Sequence, residues 1–125
     1  MGETIAQIND KFPHWFNENY KKFNGNEYAL PVDQHMLTAL IAPRSIYITS
    51  ATEDEWADPY SEFLGLKYAV PVYSLYGLKG ISQQPMPSPD SQLHTEGMGY
   101  HLRNGKHDMT EYDWQKFMEY AERYL

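Results

Sequence analysis

The sequence has no cysteine, few basic residues and no long apolar run, and each absence narrows the possible functions. Without cysteine, this chain of 125 residues forms neither a disulfide nor a thiolate metal site. Its 10 lysines and arginines are outnumbered by 17 aspartates and glutamates, and the net charge of -7 argues against nucleic acid and against an anionic membrane surface as partners. No apolar stretch approaches the ~20 residues of a membrane span.

What the sequence does contain is typical of one compact domain. Its apolar share of 42% is ordinary for a globular protein of this length. Aromatic residues make up 15% of the chain, and tyrosine, with 11 residues, is the most frequent of them. Aromatic-rich surfaces are common in carbohydrate-binding clefts, but tyrosine is also a general surface and interface residue. Composition alone therefore leaves a sugar-binding role open.

Apolar periodicity and turn residues predict four helices and two strands. The helices are expected over 14–23, over 33–41, from Pro59 and from Thr110, and the strands over 45–50 and 99–103. Pro71 is expected to kink or split the third helix. Residues 77–97 carry Pro85, Pro87 and Pro89 and are expected to form a long loop.

The last helix has the clearest signature. Thr110 is followed three residues later by Asp113, close to a capping box. Apolar residues then recur at helical spacing, which predicts a buried face made of Trp114, Phe117, Met118, Ala121 and Leu125.

Helices that alternate with short buried strands predict an α/β fold with a parallel sheet. Two strands alone make a poor sheet, because each exposes an edge and a face. We therefore expect residues 1–125 to be a single partial α/β domain, an incomplete parallel sheet flanked by helices.

A histidine and an aspartate follow the two predicted strands. His107 lies in the loop 104–108 before the last helix, and Asp54 lies in an acidic loop after the first strand. Loops that follow parallel strands gather at one edge of a sheet, so the fold can bring the two side chains together. A carboxylate that orients an imidazole makes it a general base. The alternative is that His107 packs on the last helix and Asp54 solvates a turn. Neighbouring Glu53 is a second candidate for the acid.

Trp56 and the histidines and acids over residues 90–107 are further candidates for binding a ligand or a metal ion. Trp56 lies within the acidic loop, either half-packed on the fold or available as a platform for a sugar ring. The spacing of the histidines and acids over residues 90–107 matches no common pattern of metal ligands. We expect no metal site and no cofactor.

Several ordered motifs resemble the glucuronoyl esterases, carbohydrate esterase family fifteen, and especially their bacterial branch. The resemblance runs from Gly2 to Leu125. Its motifs are Gly2-Glu3-Thr4, Phe12-Pro13-His14-Trp15-Phe16, Leu30-Pro31-Val32-Asp33-Gln34-His35, Leu40-Ile41-Ala42-Pro43-Arg44, Glu53-Asp54-Glu55-Trp56-Ala57-Asp58-Pro59, Gly99-Tyr100-His101, His107-Asp108 and Tyr112-Asp113-Trp114.

The resemblance implies an α/β-hydrolase that cleaves esters between glucuronic acid on xylan and lignin alcohols. It implies His107 as catalytic base, Asp54 as its acid, Trp56 as a contact of the glucuronoyl sugar and Glu3 as a ligand of sugar hydroxyls. The substrate would be a polysaccharide ester that contains glucuronic acid. The resemblance also implies a secreted or periplasmic protein, a location that the residues themselves do not indicate.

One part of the family's pattern is missing. Its nucleophilic serine lies in a Gly-Cys-Ser-Arg-x-Gly-Lys segment upstream of the position of Gly2, and no serine here lies in a comparable elbow. We expect a C-terminal portion that is inactive alone. The alternatives are a non-catalytic carbohydrate-binding module, and a module that completes its sheet with a second copy or with the missing N-terminal half.

Overall fold

The structure, a computed structural model, describes residues 2–125 and contains a three-stranded sheet between helices. The helices are α1 Ile5–Lys11, α2 Glu18–Lys21, α3 Gln34–Ala39, α4 Pro59–Ser74 and α5 Glu111–Tyr124, with a 3₁₀ turn at Glu27–Ala29. The strands are β1 Ile46–Ala51, β2 Ser91–Thr95 and β3 Met98–Arg103. Among residues 2–125, no helix is both long and apolar enough to span a membrane.

The two predicted strands, β1 and β3, pair in parallel as expected, and a third strand that was not predicted makes the sheet mixed. Its strand order is β1-β3-β2, with β1 parallel and β2 antiparallel to the central strand β3. Strand β2 lies within 77–97, which the prolines had indicated as a loop. All three prolines precede β2, and Gly97, with φ 85°, closes a tight hairpin to β3. The prolines therefore exclude regular structure only up to Pro89, and a strand can form directly after them.

The two faces of β3 have different neighbours, because successive side chains point to opposite sides of a strand. Met98, Tyr100 and Leu102 belong to the core formed with helix α4. His101 lies on the other face, where it contacts residues of α5. Every residue of β3 is buried, as expected for a central strand. The sheet is thus one layer between α4 and α5.

Helix α4 runs unbroken from Pro59 to Ser74, so Pro71 does not split it. Pro71 is exposed, so its ring lies on the solvent side of the helix, although the Lys67 carbonyl loses the partner that it has in a regular helix. Phe63, Leu66 and Tyr73 lie on both sides of the proline and are all buried in the core. Packing on the sheet therefore keeps the helix in one piece.

The N-terminal region differs most from expectation. Helix α1 was not predicted, and only Glu18–Lys21 of the predicted helix 14–23 is helical. Thr4 and Gln7 form a capping box, in which the Thr4 N–H donates to Gln7 Oε1 at 2.8 Å and the Gln7 N–H donates to Thr4 Oγ1 at 3.3 Å. The Thr-x-x-Gln spacing carried this signal. Asn17 caps α2 and so sets its start after the turn that contains Pro13.

Helix α5 begins where predicted, and its capping box is confirmed, but it buries a different face. Asp113 and Tyr120 are buried, whereas Trp114 and Met118 are each 57% exposed and Leu125 is 87% exposed. The prediction counted only apolar residues as inward-facing. Asp113 faces inward because the sheet supplies polar partners for its carboxylate.

Candidate acid–base site

The parallel pairing of β1 and β3 brings the loops after both strands together. The Thr52 N–H donates to the Arg103 carbonyl at 2.9 Å, and the Glu53 N–H donates to the Gly105 carbonyl at 2.8 Å. Thr52 Oγ1 donates to Asn104 Oδ1 at 2.9 Å and accepts from the Gly105 N–H at 3.1 Å. Gly105, with φ 113°, has a backbone conformation that favours glycine. The two loops are therefore joined by hydrogen bonds at residues just before Asp54 and His107.

His107 and Asp54 meet at this edge of the sheet. His107 Nδ1 lies 2.6 Å from Asp54 Oδ2. Because a carboxylate only accepts hydrogen bonds, Nδ1 carries the hydrogen and Nε2 keeps a free lone pair. The His107 side chain is 89% exposed and that of Asp54 only 14%, so Nε2 is accessible while the acid is shielded. Asp54 rather than Glu53 is the partner of His107.

Two further carboxylates line the same cleft. Glu62 Oε2 accepts from Ser50 Oγ at 2.7 Å, and burial raises the pKa of Glu62. Asp58 caps α4, and its hydrogen bonds with Ser61 lower its pKa. The wall of the cleft beside His107 is therefore strongly acidic.

Trp56 and Glu3 lie in the same cleft, so all four side chains predicted for the site come together. The cleft has a volume of about 1010 Å³ and is lined by Glu3, Asp54, Trp56 and His107 among others. The Glu3 N–H donates to the Trp56 carbonyl at 2.9 Å, which joins the start of the chain to the acidic loop. Glu3 Oε1 is buried without a hydrogen-bond partner among residues 2–125, and the Trp56 side chain is 50% exposed.

Three residues at the end of α1 were missed as parts of the cleft. The rings of Phe12 and Trp15 stack with their centroids 4.0 Å apart, and Lys11 Nζ lies 5.4 Å from the Trp56 ring centroid. They were missed together with helix α1. Arg103, the last residue of β3, is buried, and its guanidinium group bonds to buried Asp113.

Behind the cleft, the carboxylate of Asp113 is the centre of a buried polar network. It accepts from His101 Nε2 at 2.8 Å, from Arg103 Nε at 3.0 Å and from the Thr110 N–H at 2.6 Å. Burial alone would raise the pKa of Asp113, but bonds from Thr110 and His101 and the nearby Arg103 hold it well below its usual range. Asp113 is therefore the ionised partner of Arg103.

The network continues through His101 toward the surface. His101 Nδ1 lies 3.0 Å from the hydroxyl of Tyr47, which in turn lies 2.8 Å from His94 Nε2. Burial lowers the pKa of both histidines, which favours their neutral forms. With His101 Nε2 donating to Asp113, His101 Nδ1 accepts from Tyr47, and the Tyr47 oxygen accepts from His94.

His94, His101 and His107 thus each form hydrogen bonds with other side chains of the protein. Within the part of the chain that the structure describes, no group of three or more histidine, aspartate and glutamate side chains is placed to hold a metal ion.

Comparison with known sequences identifies relatives with a stated activity. A family model described as fungal glucuronyl esterase matches residues 2–77. Carbohydrate esterase MZ0003, from an unknown prokaryotic organism, is 48% identical over all 125 residues, which are 29% of that protein. 4-O-methyl-glucuronoyl methylesterase 1 of Wolfiporia cocos is 36% identical over 79 residues, which are 62% of this chain and 19% of that protein.

Solved structures agree with the sequence relatives. A promiscuous CE15 esterase from the marine bacterial metagenome superposes with a TM-score of 0.95 at 47% identity, over 99% of this chain and 31% of that one. A glucuronoyl esterase from Solibacter usitatus gives a TM-score of 0.87 at 47% identity, over 94% of this chain and 30% of that one. The chain therefore spans about a third of the length of these relatives.

The neutral state of buried His101 predicts that the chain loses stability in mild acid. Its pKa in the folded state lies below the ordinary 6.5, so the unfolded state binds a proton more readily. The contribution is complete above about pH 6.5 and is lost as the pH falls toward the folded pKa, by at most ~1.4 kcal/mol per pH unit for one proton. Urea unfolding between pH 8 and pH 5 measures this loss.

Two histidine variants serve as controls. His101→Gln should reduce the pH dependence and leave the part contributed by His94, whereas His14→Gln, at an exposed position, should leave it unchanged. A wild-type free energy of unfolding that stays constant or rises from pH 8 to pH 5 would contradict the neutral assignment.

Proposed function

This chain belongs to the glucuronoyl esterase family, and we propose that it forms the acid–base and sugar-binding portion of a serine-type carboxylic ester hydrolase. The substrate is an ester of glucuronic acid on a polysaccharide such as the lignin-linked glucuronoxylan. The observation that carries the proposal is the 2.6 Å contact of His107 Nδ1 with Asp54, which leaves Nε2 open to the cleft.

The nucleophile comes from a segment outside these 125 residues. The fold is that of a portion of an α/β-hydrolase, and the chain corresponds to 29% of the length of carbohydrate esterase MZ0003. No serine of the sequence lies in a nucleophile elbow. Residues 1–125 are then a partial domain, in which two members of a catalytic triad are present.

The first chemical step is the attack of that serine on the ester carbonyl. As the serine oxygen bonds to the carbonyl carbon, His107 Nε2 takes the serine proton. Asp54 holds the imidazole in the Nδ1–H tautomer and stabilises the imidazolium that forms. The imidazolium then gives its proton to the alcohol oxygen as the bond between that oxygen and the carbonyl carbon breaks.

In the second step, water attacks the carbonyl carbon of the serine ester while His107 Nε2 takes a proton from it. The bond to the serine oxygen breaks, the imidazolium returns the proton to that oxygen, and the uronic acid is released. The product carries a carboxylate that the esterified substrate lacked. Glu53, Glu55 and Asp58 surround Asp54 in sequence, and their charges repel a carboxylate more than a neutral ester. This acidic loop therefore favours entry of the ester and release of the product.

The residues proposed to recognise the sugar line the same cleft. The half-exposed Trp56 ring offers a stacking surface, and the unpartnered Glu3 Oε1 needs a donor such as a sugar hydroxyl. Lys11 Nζ, above the Trp56 ring, adds the positive charge closest to this surface among the residues that line the cleft.

The chain alone is expected to have no esterase activity above background on benzyl glucuronate. Loss of a serine nucleophile typically costs ~10⁶ in turnover, and the donors that stabilise the oxyanion are absent as well. Release of benzyl alcohol measures turnover, with the glucuronoyl esterase from Solibacter usitatus as the positive control. Turnover by the chain that is sensitive to serine-directed inhibitors would contradict the external origin of the nucleophile.

The chain is nevertheless expected to bind glucuronoxylan fragments whose glucuronic acid is methyl-esterified, because the acidic loop repels a free carboxylate more than a neutral ester. Trp56→Ala should weaken this binding, by about 1–2 kcal/mol if the ring stacks on a sugar as aromatic contacts do. Trp114→Ala is the matched control, because Trp114 is comparably exposed at 57% but lies on helix α5 outside the cleft. Equal affinities for wild type and Trp56→Ala in calorimetry would contradict the sugar assignment.

Exposed apolar surfaces favour a second property, association with further polypeptide. Trp114, Met118 and Leu125 form an exposed row on α5, and β1 has no strand on its outer edge within residues 2–125. We propose that the remainder of the enzyme covers these surfaces in the whole protein.

A second copy of the chain also suits these surfaces when the chain is alone. We therefore expect concentration-dependent dimers in sedimentation velocity, weakened by Met118→Glu and unaffected by Arg123→Gln, which is exposed on a different side of the same helix. A monodisperse monomer at all concentrations would argue against self-association.

A further inference from the structure

The backbone on either side of His107 is hydrogen-bonded to the side chain of Arg103. Arg103 Nη2 donates to the carbonyl of Lys106 at 2.8 Å and to the carbonyl of Asp108 at 2.9 Å. These are the residues immediately before and after His107. Arg103 Nη1 also donates to the Asn104 carbonyl at 3.2 Å. The guanidinium group thus bonds to the backbone on both sides of the imidazole.

The guanidinium group is itself fixed. Arg103 is 6% exposed, and its Nε donates to the carboxylate of Asp113, which is 1% exposed. Asp113 also accepts from His101 on β3 and from the Thr110 N–H and hydroxyl at the start of α5. The carboxylate therefore ties the orientation of Arg103 to the sheet and to the last helix at the same time.

The rest of the loop is held differently. Residues Asn104 and Gly105 bond to Thr52, Glu53 and Asp90. For the segment 106–108, the backbone carbonyl bonds within residues 2–125 come from Arg103, and the His107 ring bonds only to Asp54. Without Arg103, the position of the imidazole would depend on its own bond to Asp54.

We propose that Arg103 is a positioning residue, whose guanidinium group, oriented by Asp113, fixes the backbone on either side of His107 so that Nδ1 meets Asp54 and Nε2 faces the cleft. Its catalytic meaning rests on the proposed function. The positioning itself is a property of this chain and is measurable without turnover.

The geometry requires arginine rather than a positive charge alone. The planar guanidinium group directs Nε to Asp113 and its two amino nitrogens to three carbonyls. A lysine ammonium is a compact group with three donors on a flexible stem and does not span these acceptors. Lysine at position 103 would keep the ion pair with Asp113 but release the loop. This difference separates positioning from simple charge pairing.

The test is NMR on the 125-residue chain and its Arg103→Lys variant, well below the midpoint of thermal unfolding. In the wild type, the backbone order parameters of Lys106, His107 and Asp108 should be about 0.85, and in Arg103→Lys they should fall below about 0.6. The ring ¹⁵N shifts of His107 should report the Nδ1–H tautomer in the wild type and a mixture of tautomers in the variant. Arg123→Lys, on the exposed side of α5, is the control and should match the wild type in both measurements.

A merely structural Arg103 would give another result. In that case Arg103→Lys would lower the unfolding midpoint but leave the order parameters and the His107 tautomer unchanged, which would overturn the proposal. If Arg103→Lys does not fold, scalar couplings across the hydrogen bonds from Arg103 Nη2 to the carbonyl carbons of Lys106 and Asp108 decide the matter in the wild type. Their presence supports the proposal, and rapid guanidinium rotation without them overturns it.

These outcomes are independent of the proposed esterase function. If sugar binding fails, the order of the 106–108 segment is still a valid test of Arg103. If the segment is disordered, sugar binding at Trp56 is still a valid test of the proposed function. The two hypotheses are therefore separable by experiment.

Discussion

The hydrogen bond between His107 Nδ1 and Asp54 is the interaction that the surrounding structure positions. The two residues lie 53 positions apart in sequence, and only the parallel pairing of β1 with β3 carries both to the same edge of the sheet. Each loop is then bonded to the other through Thr52, Glu53 and Gly105. A register shift of one residue would turn the strand faces over and separate the pair.

Asp113 links this pair to the interior. One buried carboxylate caps helix α5 through Thr110, pairs with Arg103 and accepts from His101. A buried ion pair is costly to desolvate and adds little stability compared with apolar packing. Its position suggests that it contributes orientation instead, because the other end of Arg103 holds the backbone around His107. The fold therefore places a polar network where apolar side chains would have sufficed for packing.

Sequence reasoning recovered what local signals encode. The capping box at Thr110, the β-branched strand over 45–50 and the two loops that follow parallel strands were readable, and they placed Asp54 and His107 at one site. The capping box at Thr4 is a local signal for the start of helix α1, so this helix was predictable, and with it the cleft residues Lys11 and Phe12 at its end and Trp15 just beyond it. Strand β2 and the inward-facing Asp113 depend on tertiary partners, Leu102 and Arg103 among them, which no local pattern specifies.

The proposed role of His107 is tested most directly in a hybrid that supplies the nucleophile proposed to lie outside this chain. Residues 1–125 are joined to the remaining portion of the marine metagenome esterase, in place of the matching third of that enzyme, and kcat/KM is measured on benzyl glucuronate. If His107 is the catalytic base, we expect an active hybrid whose His107→Gln variant folds but loses at least about 10⁴-fold in kcat/KM. A folded His107→Gln hybrid that hydrolyses the ester as fast as the parent hybrid would contradict it.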